Sequence, residues 1–147
     1  MIIQLTEWLY QGNSDAVLHK EYEQYNIGAI IALNENNERR FPPSNNGQID
    51  YLWCPFNDSG ETLTHEKLEA IISFARIFQS KHIYVHCLGG SNRSSAICAL
   101  LLHEIDDFPT EDACLLIRAK NPSMGIYGEL ERKIQELIGK HVHNINL

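Results

Sequence analysis

The feature that most constrains the fold is a stretch in the second half of the chain, where two apolar runs flank a short polar one. Residues 82–85 have the length and composition of a buried strand, and residues 96–102 those of a buried helix. Between them, residues 86–95 read His-Cys-Leu-Gly-Gly-Ser-Asn-Arg-Ser-Ser. The pattern therefore predicts a strand, a tight loop and a helix in direct succession.

A loop of this kind is suited to binding an anion. Gly89 and Gly90 leave the backbone N–H groups open to a ligand, and the start of the following helix is the positive end of its dipole. Arg93 adds a planar fork of donors that matches two phosphoryl oxygens. Cys87 lies at the base of the loop, among donors that favour a thiolate. Because a buried apolar segment would not tolerate these polar neighbours, we interpret Cys87 as functional rather than as a core cysteine.

The segments before this loop read as strands and a helix. The apolar run 29–33 is continuous, which is typical of a strand covered on both faces. A second strand is predicted over 49–56, and Thr64 is a good N-cap for the helix that follows it. The apolar residues of that helix fall on one stripe: Leu68, Ile71, Ile72, Ala75 and Phe78.

This helix joins the strand over 49–56 to the strand before Cys87, which makes a strand-helix-strand unit. We expect the two strands to be parallel neighbours, with their carboxyl ends at one edge of the sheet. Ligands of open α/β sheets bind at that edge. Asp58 and Cys87 each follow the end of one of these strands, so the sequence predicts that they lie close together.

The remaining segments carry weaker signals. Residues 34–48 form the longest irregular stretch, and we interpret its Arg39 and Arg40 as a solvated pair, with substrate contact as the alternative. A helix with a ragged apolar face that reaches Tyr25 is predicted from residue 13 or 14, and further helices from 110 to 121 and over 127–140. His141 and His143 are spaced like a pair of metal-binding histidines but lack further ligands nearby in the sequence, so we predict no metal site.

Cys87, five residues, Arg93 and Ser94, with His86 before the cysteine and a glycine three residues after it, form a recognisable motif. It resembles the signature of the cysteine-dependent protein tyrosine phosphatase superfamily, most closely its small dual-specificity branch. The segment 3–12, the strand after Gly28 and Asn121-Pro122 are similar to parts of the same family, so the likeness covers most of the chain.

The resemblance implies one phosphatase catalytic domain over residues 1–147. Its fold would be α/β, with a central, mostly parallel sheet of about four to five strands flanked by helices. The implied reaction is hydrolysis of phosphate monoesters, phosphotyrosine and phosphoserine or phosphothreonine in proteins, through a cysteinyl-phosphate intermediate. It needs no metal or other cofactor. The short chain lacks the segment by which larger tyrosine-specific enzymes deepen their pocket, which implies a shallow site.

The family's roles can be assigned to residues of this chain. Cys87 would be the nucleophile, Asp58 the general acid, and Ser94 the hydroxyl that stabilises the departing thiolate. His86 would support the loop. Arg93 would bind the phosphate together with the loop residues Leu88, Gly89, Gly90, Ser91 and Asn92. We expect this loop to hold phosphate, sulfate or vanadate. Two roles have structural alternatives: Asp58 as an Asx-turn residue and Ser94 as a helix N-cap.

Composition limits the partners and the compartment. The chain has 147 residues and a formal net charge of −7, which disfavours general binding to nucleic acid or anionic membranes. No apolar run approaches the length that spans a bilayer. Four cysteines without close pairing indicate a reducing interior, and we expect a cytoplasmic protein.

Several alternatives stay open from the sequence alone. Asn92 before the arginine also occurs in relatives that act on RNA 5′ phosphates, and a phosphoinositide phosphatase is possible although the loop holds no basic residue besides Arg93. A phosphate-binding pseudophosphatase and an arsenate reductase or sulfur-transfer enzyme are the other candidates. Cys98 and Cys114 are interpreted as core residues. Cys54 is interpreted as a buried strand cysteine, with a resolving thiol for Cys87 as the alternative.

Overall fold

One five-stranded sheet forms the centre of the molecule. The structure, a computed structural model, describes residues 1–43, 48–123, 125 and 128–145, and for 138–145 only the backbone. The strands are β1 (Ile2–Gln4), β2 (Leu9–Asn13), β3 (Ala29–Ala32), β4 (Asp50–Trp53) and β5 (Ile83–Cys87). Their order is β1-β2-β5-β3-β4, with β1 antiparallel to β2 and every other pair parallel. The predicted mostly parallel sheet with flanking helices is confirmed.

Five α-helices are described in addition to two short 3₁₀ turns at Glu21–Tyr25 and Gln79–Lys81. The helices are α1 (Asp15–Leu18), α2 (His65–Phe78), α3 (Arg93–Asp106), α4 (Thr110–Lys120) and α5 (Gly128–Ile145). The predicted N-cap of α2 is confirmed, because Thr64 Oγ1 accepts a hydrogen bond from the Lys67 backbone N–H. Residues 44–47 of the long loop and Tyr127, the predicted start of the last helix, lie outside the described residues.

The prediction that the strands before and after α2 are neighbours is wrong. β4 and β5 are parallel, but β3 lies between them and pairs with both. The physical reason is burial: all four residues of β3 are buried, whereas all four of β4 are only partly buried. A continuous apolar strand is best covered at an inner position, so β4 takes the edge.

The first helix is shorter than the sequence suggests. α1 ends at Leu18, and Lys20 adopts a left-handed conformation (φ 54°) before the 3₁₀ turn begins at Glu21. A non-glycine residue with positive φ interrupts the helical hydrogen bonds, so one predicted helix becomes two short turns. The last helix instead runs beyond its predicted end, to Ile145.

The sheet separates two apolar clusters. The larger cluster lies between the sheet and α2 to α5 and includes Leu9, Ile31 and Val85. The smaller one lies on the other face, where Tyr10 and Tyr84 pack with residues of α1 and the first 3₁₀ turn. Both faces of the central strands are therefore covered, and the carboxyl ends of β2, β3 and β5 meet at one edge.

Candidate active site

The loop over residues 87–93 begins at the last residue of β5 and ends at the first residue of α3. The Cys87 side chain is almost fully buried, with 2% exposed. Gly90 donates its backbone N–H to Cys87 Sγ at 3.3 Å. Gly90 has a φ of +79°, and a Cβ there would lie 2.8 Å from the Gly12 carbonyl carbon. Only glycine allows the loop to curl this tightly over the sulfur.

Two hydrogen bonds to the segment after α4 stabilise the tight conformation of the 87–93 loop. Asn121, which follows the last residue of α4, donates from Nδ2 to the Gly90 carbonyl at 3.2 Å. Ser91 Oγ donates to the Ser123 carbonyl at 2.7 Å. Asn121, the predicted end of this helix, therefore also supports the 87–93 loop.

A hydroxyl group lies beside the sulfur. Ser94 Oγ is 3.5 Å from Cys87 Sγ and is fully buried. The N-cap residue of α3 is Asn92, so Ser94 lies inside the first turn and the alternative role of Ser94 as the N-cap is wrong. Gln11 Nε2, on β2, donates to Ser94 Oγ at 3.1 Å and to Ser95 Oγ at 2.6 Å.

Arg93 is held by a carboxylate that the sequence did not reveal. Its Nη1 and Nη2 donate to the two carboxylate oxygens of Glu38 at 2.7 and 2.8 Å, and Nη1 also donates to the Phe56 carbonyl at 3.1 Å. The side chains of Arg93 and Glu38 are only 4% and 16% exposed. The hydrogen bonds from Arg93 lower the pKa of Glu38 from its ordinary value, although partial burial opposes this.

Glu38 belongs to the irregular 34–48 segment, in which the sequence pattern points only to Arg39 and Arg40. Arg39 is exposed, and its carbonyl accepts a hydrogen bond from Asn34 Nδ2 at 2.8 Å. Arg40 stacks on the ring of Trp53, with its guanidinium carbon 3.8 Å from the ring centroid. Arg40 is therefore packed rather than solvated, which corrects half of that interpretation.

Asp58 stands at the opening of the 87–93 loop. Its Oδ1 is 2.9 Å from Arg93 Nε, and its side chain is 70% exposed. The two atoms are in ion-pair contact, but their orientation falls short of a directed hydrogen bond, since Nε has no aligned acceptor among the described residues. The structure thus brings together the predicted cysteine, arginine and aspartate at one edge of the sheet.

The 55–62 loop that carries Asp58 is fixed at both ends. Lys67 Nζ, on α2, donates to the Pro55 carbonyl at 2.6 Å and to the Thr62 carbonyl at 3.1 Å. Asn57 and Thr62 bind each other reciprocally, because each backbone N–H donates to the other's side-chain oxygen. Asn57, rather than Asp58, therefore provides the side-chain turn contact, and the carboxyl group of Asp58 is left to face Arg93.

His86 lies beneath the loop. It is fully buried, stacks on Tyr84 and has Nδ1 3.4 Å from the Cys87 carbonyl. Burial lowers the pKa of His86 to about 4, so the ring is neutral at physiological pH. A neutral ring in this position contacts the backbone and carries no charge to the sulfur.

Cys54 is poorly placed to bridge Cys87. Cys54 directly follows β4 and Cys87 ends β5, with β3 between the two strands, and two strand spacings amount to about 9–10 Å. A disulfide requires Cα atoms within about 7 Å. Burial also raises the pKa of the Cys54 thiol, whose Sγ contacts the Lys67 carbonyl at 3.7 Å. A resolving role would require backbone movement.

The described side chains include no group of three or more His, Cys, Asp or Glu residues that could hold a metal ion, and those of His141 and His143 lie outside the description. Across 1–43, 48–123 and 128–145, no helix is long and apolar enough to cross a membrane.

Comparison with known proteins identifies the family. The model described as "Dual specificity phosphatase, catalytic domain" matches residues 9–137. The chain belongs to the dual-specificity phosphatase family. It is 29% identical over 148 residues to dual specificity protein phosphatase 22 of Mus musculus, across 95% of this chain and 75% of that protein. Members of this family hydrolyse phosphate esters without a metal, through a cysteinyl-phosphate intermediate, and the chain is a phosphatase of this type.

Solved structures show the same fold. The human tyrosine phosphatase-like serine/threonine/tyrosine-interacting protein superposes with a TM-score of 0.83 at 16% identity, covering 96% of this chain and 97% of that one. PTPMT1 in complex with PI(5)P superposes with a TM-score of 0.81 at 18% identity, covering 98% of each chain. At identities of 16% and 18%, these superpositions show that this dual-specificity phosphatase shares its fold with the two proteins, and no more than that.

Proposed function

We propose that this phosphatase removes phosphate from tyrosine, serine and threonine side chains of proteins, with Cys87 as nucleophile, Arg93 as phosphate clamp and Asp58 as general acid. One observation carries the proposal: the Asp58 carboxyl group lies 2.9 Å from Arg93, at the opening of the loop whose base is Cys87. A phosphate group in that loop would have the sulfur below it and a proton donor above its leaving oxygen.

The guanidinium has one edge left for substrate. Glu38 binds the end of the guanidinium formed by Nη1 and Nη2. The other edge, which carries the Nε proton and the second Nη2 proton, faces Asp58 and remains for the substrate. This edge can donate to two phosphoryl oxygens, while the backbone N–H groups of the 87–93 loop supply further donors. Fixed donors of this kind usually make the largest electrostatic contribution in a phosphoryl-transfer site.

The reaction proceeds in two displacements. Cys87 Sγ attacks phosphorus, and the bond to the leaving oxygen breaks as Asp58 donates a proton to it. In the second displacement a water attacks the phosphocysteine, passes its proton to the Asp58 carboxylate and releases the Cys87 thiolate. General acid catalysis of this kind contributes roughly 10²–10⁴-fold.

The surroundings of the site favour a protein substrate with a phosphate near its surface. Leu88 is 46% exposed, and Gly89 is exposed at the rim, so these two residues form no wall that would admit only the long phosphotyrosine side chain. The loop carries no basic residue besides Arg93, and the chain has a net charge of −7. Both features disfavour polyanionic substrates such as phosphoinositides or RNA ends. We place this activity in one domain over residues 1–147 in the cytoplasm, where the reducing conditions preserve a thiolate.

Turnover of p-nitrophenyl phosphate in the presence of a chelator tests the chemistry. Wild type should release p-nitrophenol, Cys87→Ser should not, and Cys114→Ser on α4 is a matched control that should retain activity. Equal rates for wild type and Cys87→Ser would refute the assignment of the nucleophile.

Substrate class is then tested by phosphate release from phosphotyrosine and phosphothreonine peptides, a phosphoinositide and a 5′-phosphorylated RNA. The phosphoinositide arm has particular interest because a structural neighbour, PTPMT1, is known in complex with PI(5)P. Faster release from the peptides supports the proposal. Faster release from the lipid or the RNA would overturn the substrate class while leaving the chemistry intact.

A further inference from the structure

Gln11 is a polar side chain at a position where the strand pattern calls for an apolar one. It lies on the same face of β2 as Leu9, which belongs to the larger apolar cluster. Its side chain is fully buried, and its Oε1 has no hydrogen-bond partner among the residues that the structure describes. An unsatisfied buried amide oxygen is unfavourable for folding, so its presence needs an explanation other than stability.

The amide nitrogen of Gln11 has two protons, and both are engaged. Nε2 donates to Ser94 Oγ at 3.1 Å and to Ser95 Oγ at 2.6 Å. Because Nε2 can only donate, Ser94 Oγ must accept in this contact, and the proton of the Ser94 hydroxyl is left for another acceptor. Cys87 Sγ lies 3.5 Å from Ser94 Oγ; as a thiol it donates to that oxygen, but as a thiolate it has no proton and becomes the acceptor for the Ser94 hydroxyl.

We propose that Gln11 is a positioning residue that orients the Ser94 hydroxyl toward Cys87, so that Ser94 stabilises the thiolate released from the phosphoenzyme. The proposal rests on the function proposed above, since it assigns a second residue to the same reaction. Gln11 touches neither the sulfur nor the substrate in this scheme, and it acts only through Ser94.

The step concerned is the second displacement. The oxygen of water forms a bond to phosphorus, the bond between phosphorus and Cys87 Sγ breaks, and the electron pair of that bond remains on sulfur. The proton of the attacking water goes to the Asp58 carboxylate. The negative charge that develops on sulfur is stabilised by a hydrogen bond from Ser94, provided that the Ser94 proton points toward it.

The first experiment is rapid-mixing kinetics with p-nitrophenyl phosphate on wild type, Gln11→Met, Ser94→Ala and the double variant. A lost hydrogen bond to a charged atom predicts a fall in kcat of roughly tenfold or more. Because only phosphoenzyme hydrolysis slows, kcat/KM should change little and a burst of p-nitrophenol should appear. In the Ser94→Ala background, Gln11→Met should cause no further fall in kcat. Ser95→Ala, which removes only the other bond of Gln11, should show no burst.

A second readout does not depend on turnover. The rate at which iodoacetamide alkylates Cys87, followed against pH by mass spectrometry, gives the apparent pKa of that thiol. Gln11→Met and Ser94→Ala should raise it by similar amounts, about one, since a tenfold weaker stabilisation of the thiolate corresponds to one pH unit. Ser95→Ala should leave it unchanged.

The outcomes separate this proposal from the proposed function. If wild type releases no phosphate, the function fails, and the alkylation profiles still decide the role of Gln11. If wild type is active, three results overturn the role of Gln11: an unchanged kcat in Gln11→Met, a parallel fall in kcat and kcat/KM, or a further loss in the Ser94→Ala background. A melting temperature within about 2 °C of wild type would show that Gln11→Met folds normally.

Discussion

Replacing Glu38 by glutamine tests whether Arg93 is held in place by a buried carboxylate. The change keeps one acceptor oxygen but turns an N–H₂ group toward the guanidinium, so one of the two charge-assisted hydrogen bonds is lost. Hydrogen bonds to charged groups contribute about 1.5–3 kcal/mol. Since Arg93 and Glu38 are only 4% and 16% exposed, this value needs little discount for solvent. We expect the free energy of unfolding to fall by about 2–3 kcal/mol.

The pH dependence of this loss has a definite sign. Arg93 lowers the pKa of Glu38 in the folded protein. The ion pair therefore contributes its full stability above the unfolded pKa of a glutamate, about 4.3, and loses it as pH falls through the lower folded value. The difference in stability between wild type and Glu38→Gln should be constant between about pH 5 and 7 and should shrink below about pH 4.3.

Urea denaturation at pH 7 and at about pH 3.5 measures this difference, with Glu7→Gln, an exposed turn position, as the control. Activity should fall as well, by about tenfold or more, because a guanidinium that is free to rotate no longer presents a fixed donor edge. A stability difference that is the same at both pH values, or a Glu38→Gln variant as stable as Glu7→Gln, would refute the reasoning.

Three further predictions concern the loops of the site. Asp58→Asn should lower kcat/KM, which reports the first displacement, by roughly 10²–10⁴-fold for phosphotyrosine and far less for an ester with a strongly acidic leaving group, measured in parallel assays. Lys67→Met should show the same leaving-group dependence, more weakly, because the 55–62 loop loses two hydrogen bonds that anchor it. Lys81→Met, which removes surface contacts with Asp50 and the Phe78 ring and none with this loop, should not. Gly90→Ala should abolish activity and lower the melting temperature, because its Cβ would meet backbone.

The parts of the molecule that follow from local patterns could be predicted from the sequence. The segment from β5 through the 87–93 loop to α3 combines apolar runs with glycines and an arginine, and each of these is a local signal. The N-cap of α2 at Thr64 is another, since capping depends on the neighbouring backbone alone. The positions of Cys87, Arg93 and Asp58 at one sheet edge followed from the direction of the strands.

What the sequence could not reveal depends on contacts between distant segments. Glu38 lies in an irregular loop with no periodic pattern, and its partner Arg93 is far along the chain. The position of β3 between β4 and β5 depends on which strand is more deeply buried, a comparison made only in the folded sheet. Gln11 is detectable in the sequence as a polar residue on an apolar strand face. That pattern does not predict its partners, Ser94 and Ser95, which lie far along the chain.

The anchored 55–62 loop has a consequence for ligand recognition. Hydrogen bonds from Lys67, Asn92 and Arg93 to backbone carbonyls of this loop hold it beside the 87–93 loop. An entering phosphate therefore has to displace one exposed side chain, Asp58, rather than wait for a lid to close. Side-chain rotation takes nanoseconds or less, whereas loop closure takes microseconds to milliseconds. Tetrahedral oxyanion inhibitors should accordingly bind this enzyme in a single fast phase, without slow onset.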